Sequence, residues 1–170
     1  MKNNIVLVGF MGAGKTTVAR MLAARLKRRL YSTDEVIVKK DGRPITEIFQ
    51  SEGEPFFRGL ERSAVREISQ KANVIIDCGG GVVLDPENLN DLKKTGVVFF
   101  LAASPDKIFE RIKEQNHRPL LNTGNPLAKI EELLGKRQAF YDQADHMINT
   151  NDNDWQRICA EIEAVMKDDA

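Results

Sequence analysis

The segment Gly9-Phe10-Met11-Gly12-Ala13-Gly14-Lys15-Thr16 fits the pattern G-x-x-x-x-G-K-[ST] of a phosphate-binding loop at every constrained position. Gly9 and Gly14 allow backbone angles and close approaches that a Cβ atom forbids, so successive N–H groups can surround phosphate oxygens. Lys15 supplies a positive charge for the β- and γ-phosphates, and the Thr16 hydroxyl is a suitable ligand for Mg²⁺. The segment therefore predicts a site for a nucleotide and Mg²⁺.

The residues on both sides of this loop support the same interpretation. Asn4-Ile5-Val6-Leu7-Val8 has the pattern of a short buried strand, and residues 17–27 have the pattern of a helix. A phosphate-binding loop requires this order of strand, glycine loop and helix, because the positive end of the helix then faces the phosphates. The alternative, a glycine-rich turn with an incidental lysine, is disfavoured by this context.

Length and composition narrow the class of protein. The chain has 170 residues, which suits a single domain over residues 1–170. Lys plus Arg and Asp plus Glu number 25 each, so a zero net charge gives no general attraction to nucleic acid or to an acidic membrane. Cys78 and Cys159 have no metal-ligand spacing, and no stretch approaches the ~20 apolar residues of a membrane span. We predict a soluble cytoplasmic protein.

Apolar runs alternate with helix-like segments along the chain, which is typical of an α/β protein with a parallel sheet. Further strands are predicted at residues 29–32, 73–77, 96–102 and 146–149. The segment 115–126 is polar and contains two prolines and one glycine. It has no apolar face with which to pack permanently, so we predict a mobile loop there.

Several short motifs, taken in order, identify a family. They are Gly9 to Thr17, then Thr33-Asp34, Gly53-Glu54-Pro55-Phe56-Phe57-Arg58, Gly79-Gly80-Gly81, Arg118-Pro119-Leu120-Leu121, and Arg137 to Asp145 with Tyr141. With these motifs the chain resembles the shikimate kinase family over essentially its whole length. The resemblance implies a three-layer P-loop kinase fold, with a five-stranded parallel sheet in the order 2-3-1-4-5 and helices on both faces. It also implies Mg²⁺-dependent transfer of the γ-phosphoryl group of ATP to the 3-hydroxyl of shikimate, in aromatic amino-acid biosynthesis.

The resemblance assigns roles to residues at matching positions. Lys15, Asp34 and Arg118 are the catalytic candidates, with Arg118 in a lid over residues 115–126 that closes over ATP. Helices over about residues 33–62 are expected to bind the substrate, and a monomer is expected. The ATP-binding candidates are Gly12, Ala13, Gly14, Lys15, Thr16, Thr17 and Arg118; the shikimate-binding candidates are Asp34, Arg58, Gly79, Gly80, Gly81 and Arg137.

These residue types suit the implied chemistry, although each also has an ordinary structural explanation. A carboxylate such as Asp34 can orient or deprotonate a hydroxyl nucleophile, but it is also a favoured acid in the first turn of a helix. Arg58 and Arg137 can clamp a carboxylate with two hydrogen bonds, but arginines on charged helices are usually only solvated. The triplet Gly79–Gly81 can bring backbone N–H groups to a ligand at the end of the third strand.

Two positions near the expected metal depart from the family. The family usually carries Asp where Ser32 stands, and many members carry Thr or Ser where Cys78 stands. Asp77, at the end of the third strand, could compensate by contacting Mg²⁺ through water, while Thr16 is the direct ligand. Strand alternation could instead point Asp77 away from the nucleotide.

Two other functions therefore stay open at this level. One is a kinase of another small hydroxy acid, such as gluconate, since Arg58 and Arg137 suit any acceptor that carries a carboxylate. The other is a catalytically weakened nucleotide-binding regulator, which the substitutions at Ser32 and Cys78 would permit.

Overall fold

The computed structural model describes residues 2–113 and 124–168. Within these residues the strands are β1 (Asn4–Val8), β2 (Leu30–Ser32), β3 (Ile75–Asp77), β4 (Gly96–Ala102) and β5 (His146–Asn149). The helices are α1 (Lys15–Leu26), α2 (Thr33–Asp41), α3 (Ile45–Glu52), α4 (Glu54–Ser69), α5 (Pro86–Thr95), α6 (Pro105–Ile112), α7 (Pro126–Tyr141) and α8 (Trp155–Asp168). The alternation of strands and helices agrees with the predicted α/β class.

The strands form a parallel sheet in the order β2-β3-β1-β4-β5, which confirms the predicted order. The central strand β1 is buried along its whole length, so its sequence is almost entirely apolar. Asn4 is the exception, and its amide is satisfied: it donates to the Lys71 carbonyl at 2.7 Å and accepts from Val74 N at 3.0 Å.

Helices cover both faces of the sheet and produce the predicted three layers. Because successive side chains of a strand point to opposite faces, Ile5 and Leu7 pack with α1 and α8. Val6 and Val8 pack on the other face, in a cluster that includes residues of α4, α5 and α7. A separate apolar cluster joins α2, α3 and α4 beside the sheet.

Some helices and strands begin at different residues from those that the apolar pattern predicted, because local backbone angles decide where they start. Helix α1 begins at Lys15, directly after Gly14, whose φ of 97° ends the loop. Strand β3 begins at Ile75 because Asn73 has the left-handed φ of 59°. A short 3₁₀ turn at residues 82–84 follows the glycine triplet and was not predicted.

Parallel strands bring their carboxyl ends to one edge of the sheet, where ligands of such folds bind. At this edge β1 leads into the phosphate-binding loop, β2 leads directly into α2, and β3 leads into Gly79–Gly81. In the described part of the chain, no helix has the length and apolarity needed to cross a membrane.

Candidate active site

A cavity of about 450 Å³ opens at the carboxyl ends of β1, β2 and β3. Its walls come from the phosphate-binding loop, from helices α2, α3 and α4, from the glycine triplet and from α7. Ile45, Phe49 and Phe57 form an apolar side of the cavity, with the two phenylalanine ring centroids 4.5 Å apart. The polar lining residues include Lys15, Thr16, Ser32, Asp34, Arg58, Glu61, Asp77 and Arg137.

The phosphate-binding loop adopts the backbone that its glycines were expected to allow. Gly9, Gly12 and Gly14 all have positive φ, at 148°, 78° and 97°. A Cβ atom on Gly14 would lie 2.5 Å from the ring of Trp155. Both the backbone angle and the close packing therefore require glycine at position 14.

Lys15, at the start of α1, is folded over the loop that precedes it. Its ammonium donates to the carbonyls of Gly9 at 2.9 Å and Phe10 at 3.1 Å. The residue is 9% exposed and borders the cavity. The loop thus holds a cation beside the place where phosphates would bind.

Thr16 and Asp77 are joined by a short hydrogen bond, in which the Thr16 hydroxyl donates to Asp77 Oδ2 at 2.6 Å. The Asp77 side chain therefore points toward the phosphate-binding loop. The sequence alone had left this direction open. Ser32 is the register neighbour of Asp77 on β2, and its hydroxyl accepts from Glu35 N at 3.4 Å as the cap of α2.

Cys78 follows Asp77 but has a different environment. Its side chain belongs to the apolar cluster on one face of the sheet, and the residue is 1% exposed. Burial, reinforced by the charge of Asp77, raises the pKa of the Cys78 thiol well above its ordinary value. The thiol is therefore a neutral group packed in the core, whereas Ser32 pairs with Asp77 across β2 and β3.

The glycine triplet packs closely against α2 and α4. Gly79 N donates to Thr33 Oγ1 at 2.8 Å, and a Cβ atom on Gly79 would lie 2.7 Å from Asp34 Oδ1. A Cβ atom on Gly81 would overlap the guanidinium of Arg58. The absence of side chains here lets Asp34 and Arg58 reach the wall of the cavity.

Arg58 is held by two carboxylates of its own helix, and neither pairing was predicted from the sequence. It donates to Glu61 Oε1 at 2.7 Å and to Glu54 Oε1 at 3.0 Å. Burial works to lower the pKa of Arg58, but Glu61 and Glu54 outweigh it and raise that pKa. The i,i+3 spacing of Arg58 and Glu61 was the available signal, although such pairs are usually exposed.

Glu61 is a charged group in an unusual position, because its side chain is only 1% exposed. Burial raises the pKa of Glu61, the nearby charge of Asp34 adds to this effect, and Arg58 and Arg137 oppose it. A buried carboxylate of this kind needs a partner, so Glu61 and Arg58 orient each other.

Arg137 and Tyr141 approach the glycine triplet from α7. Tyr141 is fully buried and stacks on Phe100, and its hydroxyl donates to the Gly80 carbonyl at 2.7 Å. The guanidinium of Arg137 donates to the same carbonyl at 3.4 Å and lies over the ring of Phe10. Arg137 and Arg58 therefore both border the cavity beside the glycine triplet, Arg137 at Gly80 and Arg58 at Gly81.

The structure brings together most of the site residues predicted from the sequence. Lys15, Thr16, Asp34, Arg58 and Arg137 line one cavity with the glycine triplet. Arg118 and residues 115–123 of the predicted lid lie outside the described residues, so their roles stay predictions.

Comparisons with known proteins agree with this geometry. A family model described as shikimate kinase matches residues 11–167. The shikimate kinase of Caldicellulosiruptor saccharolyticus is 48% identical over 148 residues, which cover 87% of this chain and 86% of that protein. The chain belongs to the shikimate kinase family.

Other shikimate kinases show the same likeness. That of Thermodesulfovibrio yellowstonii is 48% identical over 147 residues, covering 86% of this chain and 85% of that protein. A shikimate kinase from Acinetobacter baumannii has a solved structure in complex with shikimate. That structure matches this chain with a TM-score of 0.91 and 34% identity, and the match covers 98% of this chain and 94% of that one. Family membership makes this protein a small-molecule kinase.

Proposed function

We propose that this protein transfers the γ-phosphoryl group of ATP to the 3-hydroxyl of shikimate. The observation that carries the proposal is that one cavity joins a phosphate-binding loop to a carboxylate and two arginines. Phosphoryl transfer requires positioning and charge neutralisation more than covalent chemistry, so such a cavity contains the required parts. The solved complex of a family member with shikimate supports the identity of the acceptor.

On the acceptor side, Arg58 and Arg137 bind the carboxylate of shikimate and Asp34 binds its hydroxyls. A guanidinium forms paired hydrogen bonds with a carboxylate, which suits both arginines. Asp34 lies against Gly79 in the same cavity and can accept the proton of the attacking hydroxyl. Ile45, Phe49 and Phe57 offer apolar contact to the carbon ring.

On the nucleotide side, the backbone from Gly12 to Thr17 surrounds the phosphates. Lys15 lies beside them and stabilises the negative charge that develops during transfer. Its hydrogen bonds to Gly9 and Phe10 fix the ammonium before the nucleotide binds. Arg118, in the proposed lid over residues 115–126, would add a second cation and help to exclude water.

The residues at the end of β3 fit a magnesium ion. Thr16 and Asp77 supply oxygen atoms, which hard cations prefer, and the Cys78 thiol is turned into the core. Among the described residues no group of three or more His, Cys, Asp or Glu could hold a metal by itself, which suits an ion bound largely by phosphates. When bound, Mg²⁺ would neutralise phosphate charge, with Thr16 as its ligand and Asp77 orienting Thr16 and the surrounding water.

We also propose a cytoplasmic location, in keeping with two cysteines that are both buried and free. A monomeric state remains a prediction from the family resemblance.

A coupled assay of ADP release, with shikimate or gluconate as acceptor, tests the proposed reaction. We expect release that depends on shikimate, and Lys15→Ala should abolish it while the far-ultraviolet circular dichroism spectrum is retained. Preference for gluconate would assign another acceptor. ATP binding without any acceptor-dependent release would instead identify the weakened regulator, and more than about a tenth of wild-type activity in Lys15→Ala would contradict the role of the loop.

A further inference from the structure

Thr150 connects the phosphate-binding loop to the far strands of the sheet. It directly follows β5 and is fully buried. Its hydroxyl donates to the Ala13 carbonyl at 2.9 Å, across 137 residues of sequence, and lies 3.3 Å from the Ala102 carbonyl. Its backbone N–H also donates to the Ala102 carbonyl at 2.8 Å, and this hydrogen bond fixes the threonine to the end of β4.

The Thr150 hydroxyl has one hydrogen and two carbonyls within reach, and the shorter contact, to Ala13, receives it. Arg111 donates to Thr150 Oγ1 at 3.2 Å and, through the same nitrogen, to the Gly12 carbonyl at 2.9 Å. Arg111 also donates to the Thr150 carbonyl. With Arg111 as donor to Oγ1, Thr150 uses its one hydrogen for the shorter of its two carbonyl contacts, which is Ala13.

The orientation of the Ala13 carbonyl determines where the next N–H points. In a trans peptide the C=O and the following N–H point in opposite directions, so holding the Ala13 carbonyl toward Thr150 turns Gly14 N–H the other way. Gly14 lines the cavity and precedes Lys15. Because Gly14 has no Cβ and a φ of 97°, its backbone could rotate more easily than that of other residues.

We propose that Thr150 is a positioning residue for the nucleotide: its hydroxyl fixes the Ala13–Gly14 peptide with the N–H directed at the phosphates. This inference rests on the proposed function of the loop and deepens it. Thr150 acts through the loop and does not touch the reacting atoms. Removing its hydroxyl should weaken phosphate binding and leave the acceptor side of the cavity unchanged.

The test compares Thr150→Val, which removes the hydroxyl at nearly constant shape, with Thr150→Ser, which keeps it. Thr95→Val is a matched control at the opposite, amino end of the sheet. Thr95 Oγ1 likewise donates to a carbonyl, that of Ser69 at 2.9 Å, and accepts a hydrogen bond from Asn4 at 3.2 Å. Calorimetry would give the Kd for ADP and for inorganic tripolyphosphate, and kinetics would give KM for ATP and for shikimate. Thermal unfolding would give Tm.

In Thr150→Val we expect the Kd for both phosphate ligands and the KM for ATP to rise about 3- to 10-fold, the effect of one hydrogen bond. The KM for shikimate should change less than about 2-fold, and Thr150→Ser should stay near wild type. Thr95→Val should lower Tm without changing nucleotide affinity. If Thr150→Val does not fold, Thr150→Ser and Thr150→Ala give the same comparison, since they differ by the hydroxyl alone.

Unchanged nucleotide affinity in Thr150→Val, or an equal rise of both KM values, would overturn the inference. So would an equal loss of nucleotide affinity in Thr95→Val, because the effect would then be one of general stability. ADP binding does not depend on the acceptor, so a wild-type protein that binds ADP but does not phosphorylate shikimate would refute the proposed reaction and leave this test intact. A wild-type protein that does not bind ADP would overturn both.

Discussion

Asp77→Asn should raise the Mg²⁺ requirement of this kinase, because Asp77 is the acceptor for the proposed magnesium ligand Thr16. The hydrogen bond between them is 2.6 Å long, which is typical of a hydroxyl bound to an ionised carboxylate. Hydrogen bonds to charged groups contribute about 1.5–3 kcal/mol, and neutral ones about 0.5–1.5 kcal/mol. Asn keeps an acceptor oxygen but loses the charge, so the loss is about 1–1.5 kcal/mol, or roughly 5- to 13-fold.

The assay is a titration of kcat/KM for ATP against free Mg²⁺, at saturating shikimate. The Mg²⁺ concentration for half-maximal activity should rise by that factor in Asp77→Asn. Asp145→Asn is the matched control: Asp145 also accepts a short hydrogen bond, from Val98 N at 2.8 Å, but at the amino end of the sheet. Asp145→Asn should lower Tm without changing the Mg²⁺ requirement.

Ser32→Asp tests the same reasoning by adding a carboxylate instead of removing one. Ser32 is the register neighbour of Asp77 and caps α2, and Asp is an equally good cap. In the Asp77→Asn background it should restore a low Mg²⁺ requirement. Unchanged Mg²⁺ dependence in Asp77→Asn would refute the compensation, and the absence of the family's usual carboxylate at Ser32 would then mean a weaker metal site.

Three further predictions concern the acceptor side of the cavity. Arg137→Ala should raise the KM for shikimate strongly and leave that for ATP nearly unchanged, as steady-state kinetics would show; a loss of ATP binding would move Arg137 to the nucleotide side. Tyr141→Phe removes the hydrogen bond to Gly80 but keeps the stacked ring. It should raise the KM for shikimate about 3- to 10-fold, and an equal change in the KM for ATP would contradict this. Burial raises the pKa of Glu61 above its ordinary 4.5, so a falling pH protonates Glu61 early and breaks its ion pair with Arg58. The KM for shikimate should therefore rise as the pH falls toward the raised pKa of Glu61, and a pH profile of Glu61→Gln should lack this rise if Glu61 is its source.

The features that the sequence predicted correctly depend on local chemistry or on the family resemblance. The spacing of Gly9, Gly14 and Lys15 dictates a loop whose backbone angles are decided by the residues themselves. Apolar runs indicated the parallel strands, and the predicted bounds of β1, β4 and β5 coincide with those in the structure. The order of the strands, and the grouping of Asp34, Arg58 and Arg137 in one site, came from the resemblance.

Side-chain direction and long-range contact were decided by the tertiary structure alone. Asp77 and Cys78 are consecutive, yet one faces Thr16 and the other the core, because alternate residues of a strand point to opposite sides. The phase of that alternation depends on the register with β1 and β2, which no local pattern specifies. Glu61 is buried because the glycine triplet packs against its helix, and Thr150 reaches Ala13 across 137 residues because β4 and β5 pair beside β1. Such contacts depend on how distant segments assemble, so they exist only in the folded chain.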